Sequence, residues 1–176
     1  VIFTSDHGET LGDHGLILKG CRFLEGLVRV PLIVAWPKRF AAGRCLDTLV
    51  ELIDLAPTLA EAAGLEVPWF NQGMSMTSLL EGATDRHRTS VRTEFFGAIN
   101  YPDQTHATML RDGPWKLVCY HDKSIYELYA LDEDPWEHQD LSRSPGHAKK
   151  LNELLRLSFD RQIAALPPMP DRTAPF

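Results

Sequence analysis

The chain has 176 residues, 44% of them hydrophobic and 24% charged, which is enough for about one globular domain and excludes disordered or collagen-like structure. Its 18 Lys and Arg against 24 Asp and Glu give −6, split evenly at about −3 in each half, which argues against a surface for nucleic acid or anionic membrane. No apolar run approaches the roughly 18 residues of a membrane span, and Cys21, Cys45 and Cys119 have neither disulfide-framework nor zinc-site spacing. The chain opens on Val1, inside a strand-like run, so an upstream part of the gene product is expected and the compartment stays open between cytoplasm and periplasm or secretion.

Val1-Ile2-Phe3-Thr4 reads as a short buried strand that delivers Ser5-Asp6-His7-Gly8-Glu9 at its C-terminal end, the usual site geometry of an open α/β sheet. Residues 10–28 are glycine-rich and read as a long functional loop. Arg29 to Pro37 reads as a second buried strand and Thr48 to Ile53 as a third. Asp54 is placed to N-cap a helix that runs to Ala63 and stops at Gly64. Residues 65–75 form a loop, and Ser90–Phe96 a strand. Ala107–Arg111 and Trp115–Tyr120 then flank Asp112-Gly113 as a hairpin, with Ile125–Leu131 as the next strand. A final helix begins with Ser144 as cap and Pro145 in its first turn, carrying Leu151, Leu154, Leu155, Phe159 and Ile163 as one apolar stripe.

This order predicts an α/β portion over residues 1–88, a small antiparallel sheet with a C-terminal helix over 89–166, and a loose tail over 167–176. Asp6 and His7 combine a hard oxygen donor with an imidazole at a strand end, a set suited to Ca²⁺, Mg²⁺ or Mn²⁺ rather than structural zinc. Lys19, at the far end of the glycine-rich loop, could set a cation beside such a metal against an anionic group. His14, in the second Asp-His-Gly triplet, is a candidate for facing substrate or simply an exposed loop histidine. Asp132, Glu133, Asp134, Glu137 and Asp140 read as a solvated acidic turn, since Pro135 interrupts them and the glycine of a calcium loop is absent. His106, His121, His138 and His147 have no metal spacing.

The stretches SDHGETLGDHGLILKG, RVPLIVAWP, LIDLAPTLAEAAG and GMSMTSLLEG, with ELY-x-L-x-x-DP-x-E at 127–137, resemble the formylglycine-dependent sulfatases of the alkaline-phosphatase superfamily. The resemblance implies the C-terminal portion of an alkaline-phosphatase-like α/β sandwich in a sulfuric-ester hydrolase acting on a small sulfate ester. By position, it implies that Asp6 and His7 hold the divalent cation, commonly Ca²⁺ and in some relatives Mn²⁺, and that Lys19 contacts the transferred sulfate. In such enzymes a hydrated formylglycine attacks sulfur, and sulfate then leaves as the aldehyde re-forms. The Cys/Ser-x-Pro-x-Arg motif that supplies formylglycine is absent here, and the family has it upstream, so the segment alone is expected to be inactive. Two alternatives stay open: a phosphonate monoester hydrolase or phosphodiesterase on the same scaffold, and an inactive folding or association segment. Association into a homo-oligomer is open as well.

Overall fold

The structure, a computed structural model, describes residues 1–97 and 104–166; the tail expected over 167–176 lies outside the described residues. Strand β1 (Ile2–Thr4) pairs antiparallel with β2 (Leu32–Val34), Phe3 opposite Ile33. The second strand is far shorter than the Arg29–Pro37 run, because Pro31 and Pro37 bound it and neither has an N–H to give a ladder. The expectation of buried strands is corrected too, since Phe3 is 59% and Ile33 61% exposed.

The glycine-rich stretch is less irregular than its composition suggests. It contains a 3-10 turn at Asp13–Gly15 and a short helix α1 (Glu25–Val28). Thr48 to Ile53 is not a third strand: it makes a single bridge, Leu49 to Arg88, and then a 3-10 turn at Leu52–Asp54. Helix α2 (Leu55–Ala62) follows, with Gly64 in the left-handed conformation after it. A further short helix, α3 (Thr77–Leu80), lies within a stretch that carried no element in the sequence reading.

Asp54 does not cap α2 with its side chain; the carboxylate is wholly buried in an ion network. It receives Arg88 Nε at 2.7 Å, the Arg88 Nη2, and the backbone N–H groups of Met74 (2.8 Å) and Glu51 (3.0 Å), with His87 Nε2 3.1 Å away. Burial works to raise the Asp54 pKa, but these donors outweigh it and hold the group below its ordinary 3.8. A carboxyl depressed in this way contributes stability that is complete above the unfolded value and disappears as pH falls through the lower folded value. Urea unfolding between pH 6 and pH 3 should therefore show an acid-side loss of stability beginning near pH 4, shallower in Asp54→Asn. Equal acid limbs in both proteins would remove Asp54 from that account.

The second half is a four-stranded antiparallel sheet in the order β3 (Ser90–Phe96), β4 (His106–Asp112), β5 (Trp115–Tyr120), β6 (Ile125–Ala130). The β4–β5 hairpin turns at Gly113, where φ is 55°, and Arg111 faces Lys116 across it. Both faces of the sheet are covered, which explains the unbroken apolar runs of β4 and β5. Met109, Val118 and Tyr120 pack on Phe23 and Val28 from the N-terminal half. Leu110, Leu117 and Leu128 pack on Leu154 of helix α4 (Ala148–Ala164).

Helix α4 begins three residues later than Pro145, after a 3-10 turn at Pro145–His147, and the Ser144 hydroxyl meets the His147 ring instead of capping. The expected apolar stripe narrows to its first half, with Leu154 buried but Phe159 65% and Ile163 51% exposed. The acidic turn is corrected in part. Asp132, Glu133 and Asp140 are exposed as expected, but Glu137 is buried, and Asp140 also accepts the Leu128 N–H at 3.0 Å.

Candidate active site

Strand β1 ends at Thr4, and the next four residues fold back on themselves through short hydrogen bonds. Ser5 Oγ donates to the His7 carbonyl at 2.7 Å, and the His7 N–H to Asp6 Oδ1 at 2.9 Å. His7 Nδ1 lies 2.7 Å from the Gly8 carbonyl, which can only accept, so that nitrogen carries the proton and Nε2 keeps its lone pair. Gly8 is needed here: its N–H donates to Leu27 at 2.8 Å, and a Cβ on it would lie 1.9 Å from the Gly26 carbonyl.

The loop returns to this point through Thr10, whose buried hydroxyl donates to the Leu16 carbonyl at 2.9 Å. Lys19 then reaches in, with Nζ 2.7 Å from His7 Nε2, and Asp6 Oδ2 lies 3.6 Å from the same nitrogen. Asp6, His7 and Lys19 thus converge on one cleft of about 1290 Å³, bounded by the β1–β2 ribbon, the Leu49–Ile53 segment and β3. The Asp6 carboxyl is held below its ordinary value, chiefly by the His7 N–H it accepts, with the Lys19 charge adding to it. Among the described residues Lys19 has no carboxylate partner, whereas Arg88 and Arg92, which line the same cleft, are paired with Asp54 and Glu94.

His14 stands apart from this group. Its Nε2 is 2.9 Å from the Trp136 carbonyl, its ring is 5.1 Å from that of His138, and it does not line the cleft. His106 and His121 meet the Phe96 ring on another part of the sheet. All three cysteines are free; burial pushes the Cys119 thiol up to about 11, so it stays protonated and is no nucleophile. No group of three His, Cys, Asp or Glu side chains gathers as a metal cage among the described residues. The Asp6–His7 pair therefore sets an ionised carboxylate beside an imidazole whose tautomer leaves Nε2 as an acceptor, the atom that meets the Lys19 ammonium.

Sequence reasoning passed over the cleft's other polar wall. Glu51 Oε1 accepts the Arg92 N–H at 2.8 Å and Arg161 Nη2 at 2.7 Å, tying the Leu49–Ile53 segment to both β3 and α4. Nothing local marks Glu51, because its partners lie 41 and 110 residues along the chain.

Comparison with solved structures defines the class first. The fold is that of a protein in complex with its substrate D-glucosamine-2-N,6-O-disulfate, at 28% identity and a TM-score of 0.83 over 93% of this chain and 34% of that one. It is equally that of the phosphonate monoester hydrolase of Agrobacterium radiobacter, at 27% identity and a TM-score of 0.83 over 94% of this chain and 35% of that one. The architecture is thus the alkaline-phosphatase-like one of the sulfatases. The chain belongs to the family described as N-sulphoglucosamine sulphohydrolase, C-terminal, whose model matches residues 12–163. Among curated relatives, the N-acetylglucosamine-6-O-sulfatase of Bacteroides thetaiotaomicron is 32% identical over 167 residues, 92% of this chain and 30% of that protein. The chain spans about a third of the length of the relatives it matches.

Proposed function

We propose that the protein carrying this chain is a sulfuric-ester hydrolase, with Asp6 and His7 ligating a divalent cation and Lys19 binding the sulfate of a small ester substrate. The observation that carries this reading is the meeting of Lys19 Nζ and Asp6 Oδ2 at one imidazole nitrogen, His7 Nε2. Ca²⁺ suits the set best, with Mn²⁺ or Mg²⁺ as alternatives; since Ca²⁺ takes six to eight donors, further ligands must join these two. Such a cation supplies Lewis acidity and neutralises charge on the sulfate oxygens. Asp6 contributes full negative charge at neutral pH, and the Gly8 carbonyl holds His7 in the tautomer that presents Nε2.

Lys19 is free of any carboxylate among the described residues, so its charge is available to an anion. Its field matters most as charge moves onto the leaving oxygen and sulfate, so Lys19→Ala in the full-length protein should lower kcat more than it raises KM. The loss expected is roughly 100-fold or more in kcat/KM. An unchanged kcat would remove Lys19 from the chemistry.

The nucleophile is a formylglycine residue outside this chain, which has no Cys/Ser-x-Pro-x-Arg motif; the 176 residues by themselves are accordingly inactive. Peptide mass mapping of the full-length protein for a formylglycine-bearing peptide tests this directly. A second reading is supported by the likeness to the phosphonate monoester hydrolase. Turnover of matched aryl sulfate and aryl phosphonate monoesters separates the two: preference for the sulfate is expected, and preference for the phosphonate would reassign the enzyme.

A further inference from the structure

Beneath the loop that carries Lys19 lies a set of charges, two buried and two half-buried, with no part in the chemistry above. Lys116 on β5 is wholly buried, and its Nζ is 3.0 Å from Glu25 Oε1 and 2.6 Å from Glu137 Oε1. Glu137 Oε2 accepts the Glu25 backbone N–H at 2.6 Å, and Arg111 on β4 donates to Glu25 Oε2 at 3.0 Å. A balanced cluster built on a buried Lys116–Glu137 pair returns little more Coulomb energy than the desolvation of that pair costs, so stability alone is a weak reason for it, and holding one geometry is a better one. Glu137 also sits at φ 58°, a left-handed conformation that a glutamate keeps only where its surroundings demand it.

The geometry held is that of α1. Glu25 opens this helix, and two residues on Leu27 accepts the Gly8 N–H at 2.8 Å, while the Gly26 carbonyl occupies the space a Gly8 Cβ would need. The Gly8 carbonyl, fixed by that contact, takes the His7 Nδ1–H at 2.7 Å. A second tether runs from the same turn, where the Trp136 carbonyl, next to Glu137, receives His14 Nε2 at 2.9 Å. Both ends of the glycine-rich loop are therefore fastened to the β6–α4 connection.

We propose that Lys116, Glu25 and Glu137 are positioning residues: a clamp through which the four-stranded sheet sets the orientation of His7 and the approach of Lys19. This rests on the reading of His7 as a metal ligand and assigns its outer support, the hydrogen-bonded shell on which ligand orientation depends. The DP-x-E pattern then has a physical meaning, with Glu137 as its functional member.

The test uses the full-length protein with Lys116→Met, beside Leu154→Ala as a destabilised control in the cluster on the opposite face of the sheet. Three signals are compared at matched global stability: hydrogen exchange of the Gly8 amide, the His7 tautomer by NMR of the imidazole nitrogens, and affinity for Ca²⁺ and Mn²⁺. In Lys116→Met the Gly8 amide should lose protection, the Nδ1–H tautomer should give way to a mixture, and cation affinity should fall roughly 10- to 100-fold. Leu154→Ala should leave all three as in the parent. Glu137→Gln, which keeps the shape but loses the charge, should fall between them, and it serves alone if Lys116→Met does not fold. A folded clamp variant with Gly8 protection, His7 tautomer and cation affinity all unchanged overturns the proposal. Should the parent hydrolyse neither ester class, the hydrolase reading fails, while the Gly8 and His7 signals still decide the clamp.

Discussion

Asp6→Ala should abolish turnover by the full-length protein through loss of the divalent cation, and the loss should exceed the roughly 100-fold typical of removing an outer support of a metal site. The side chain is 86% exposed, so its removal opens no cavity and the variant should fold like the parent. What disappears is a full negative charge beside an imidazole, and with it the oxygen donor that we propose for the cation. Metal analysis of the purified variant should find less than one equivalent, and millimolar Ca²⁺ should restore part of the activity by mass action. Full metal content together with normal kcat would show that Asp6 is not a ligand.

The largest expected effect on stability is at Arg88. Its side chain is 8% exposed and pairs with the fully buried carboxylate of Asp54, while also lying 3.4 Å from Glu51. Arg88→Met would strand that carboxylate in the interior, with a cost of about 3–5 kcal/mol. Arg88→Lys should recover only part of this, because a single ammonium cannot repeat the two-pronged contact of the guanidinium. The double variant Asp54→Leu, Arg88→Met should regain more, since the penalty is the unpaired charge and not the absence of the pair. It should still fall short of the parent, because the Met74 and Glu51 N–H groups would lose their acceptor. Denaturant midpoints of the four proteins check the series; a single Arg88→Met variant as stable as the parent would contradict it.

Asp54 illustrates how a correct local reading can assign the wrong job. An aspartate before an apolar helical run is a good N-cap by type, and α2 does start at the next residue. Its carboxylate was nevertheless claimed by an arginine 34 residues further on, a partner that no local pattern announces. Lys116 is different, because a signal was present. In β5 the alternation of side chains places it on the same face as Val118, toward the interior, where a lysine demands carboxylates. The acidic turn around Glu137 was the place to look for them.

Sequence by itself determined what depends on neighbours along the chain. The hairpin at Gly113, the end of α2 at Gly64 and the delivery of Asp6 and His7 at the end of β1 all follow from turn chemistry and side-chain period within a few residues. Family membership was legible for the same reason, since the motifs are short and contiguous. Only the tertiary structure decided that Lys19 meets His7 Nε2, that His14 leans on Trp136 instead, and that Glu25, Lys116 and Glu137 hold one another. These pairings join residues 12 to 122 positions apart, so all depend on chain closure, and the Glu25–Lys116–Glu137 set depends on burial and charge balance as well.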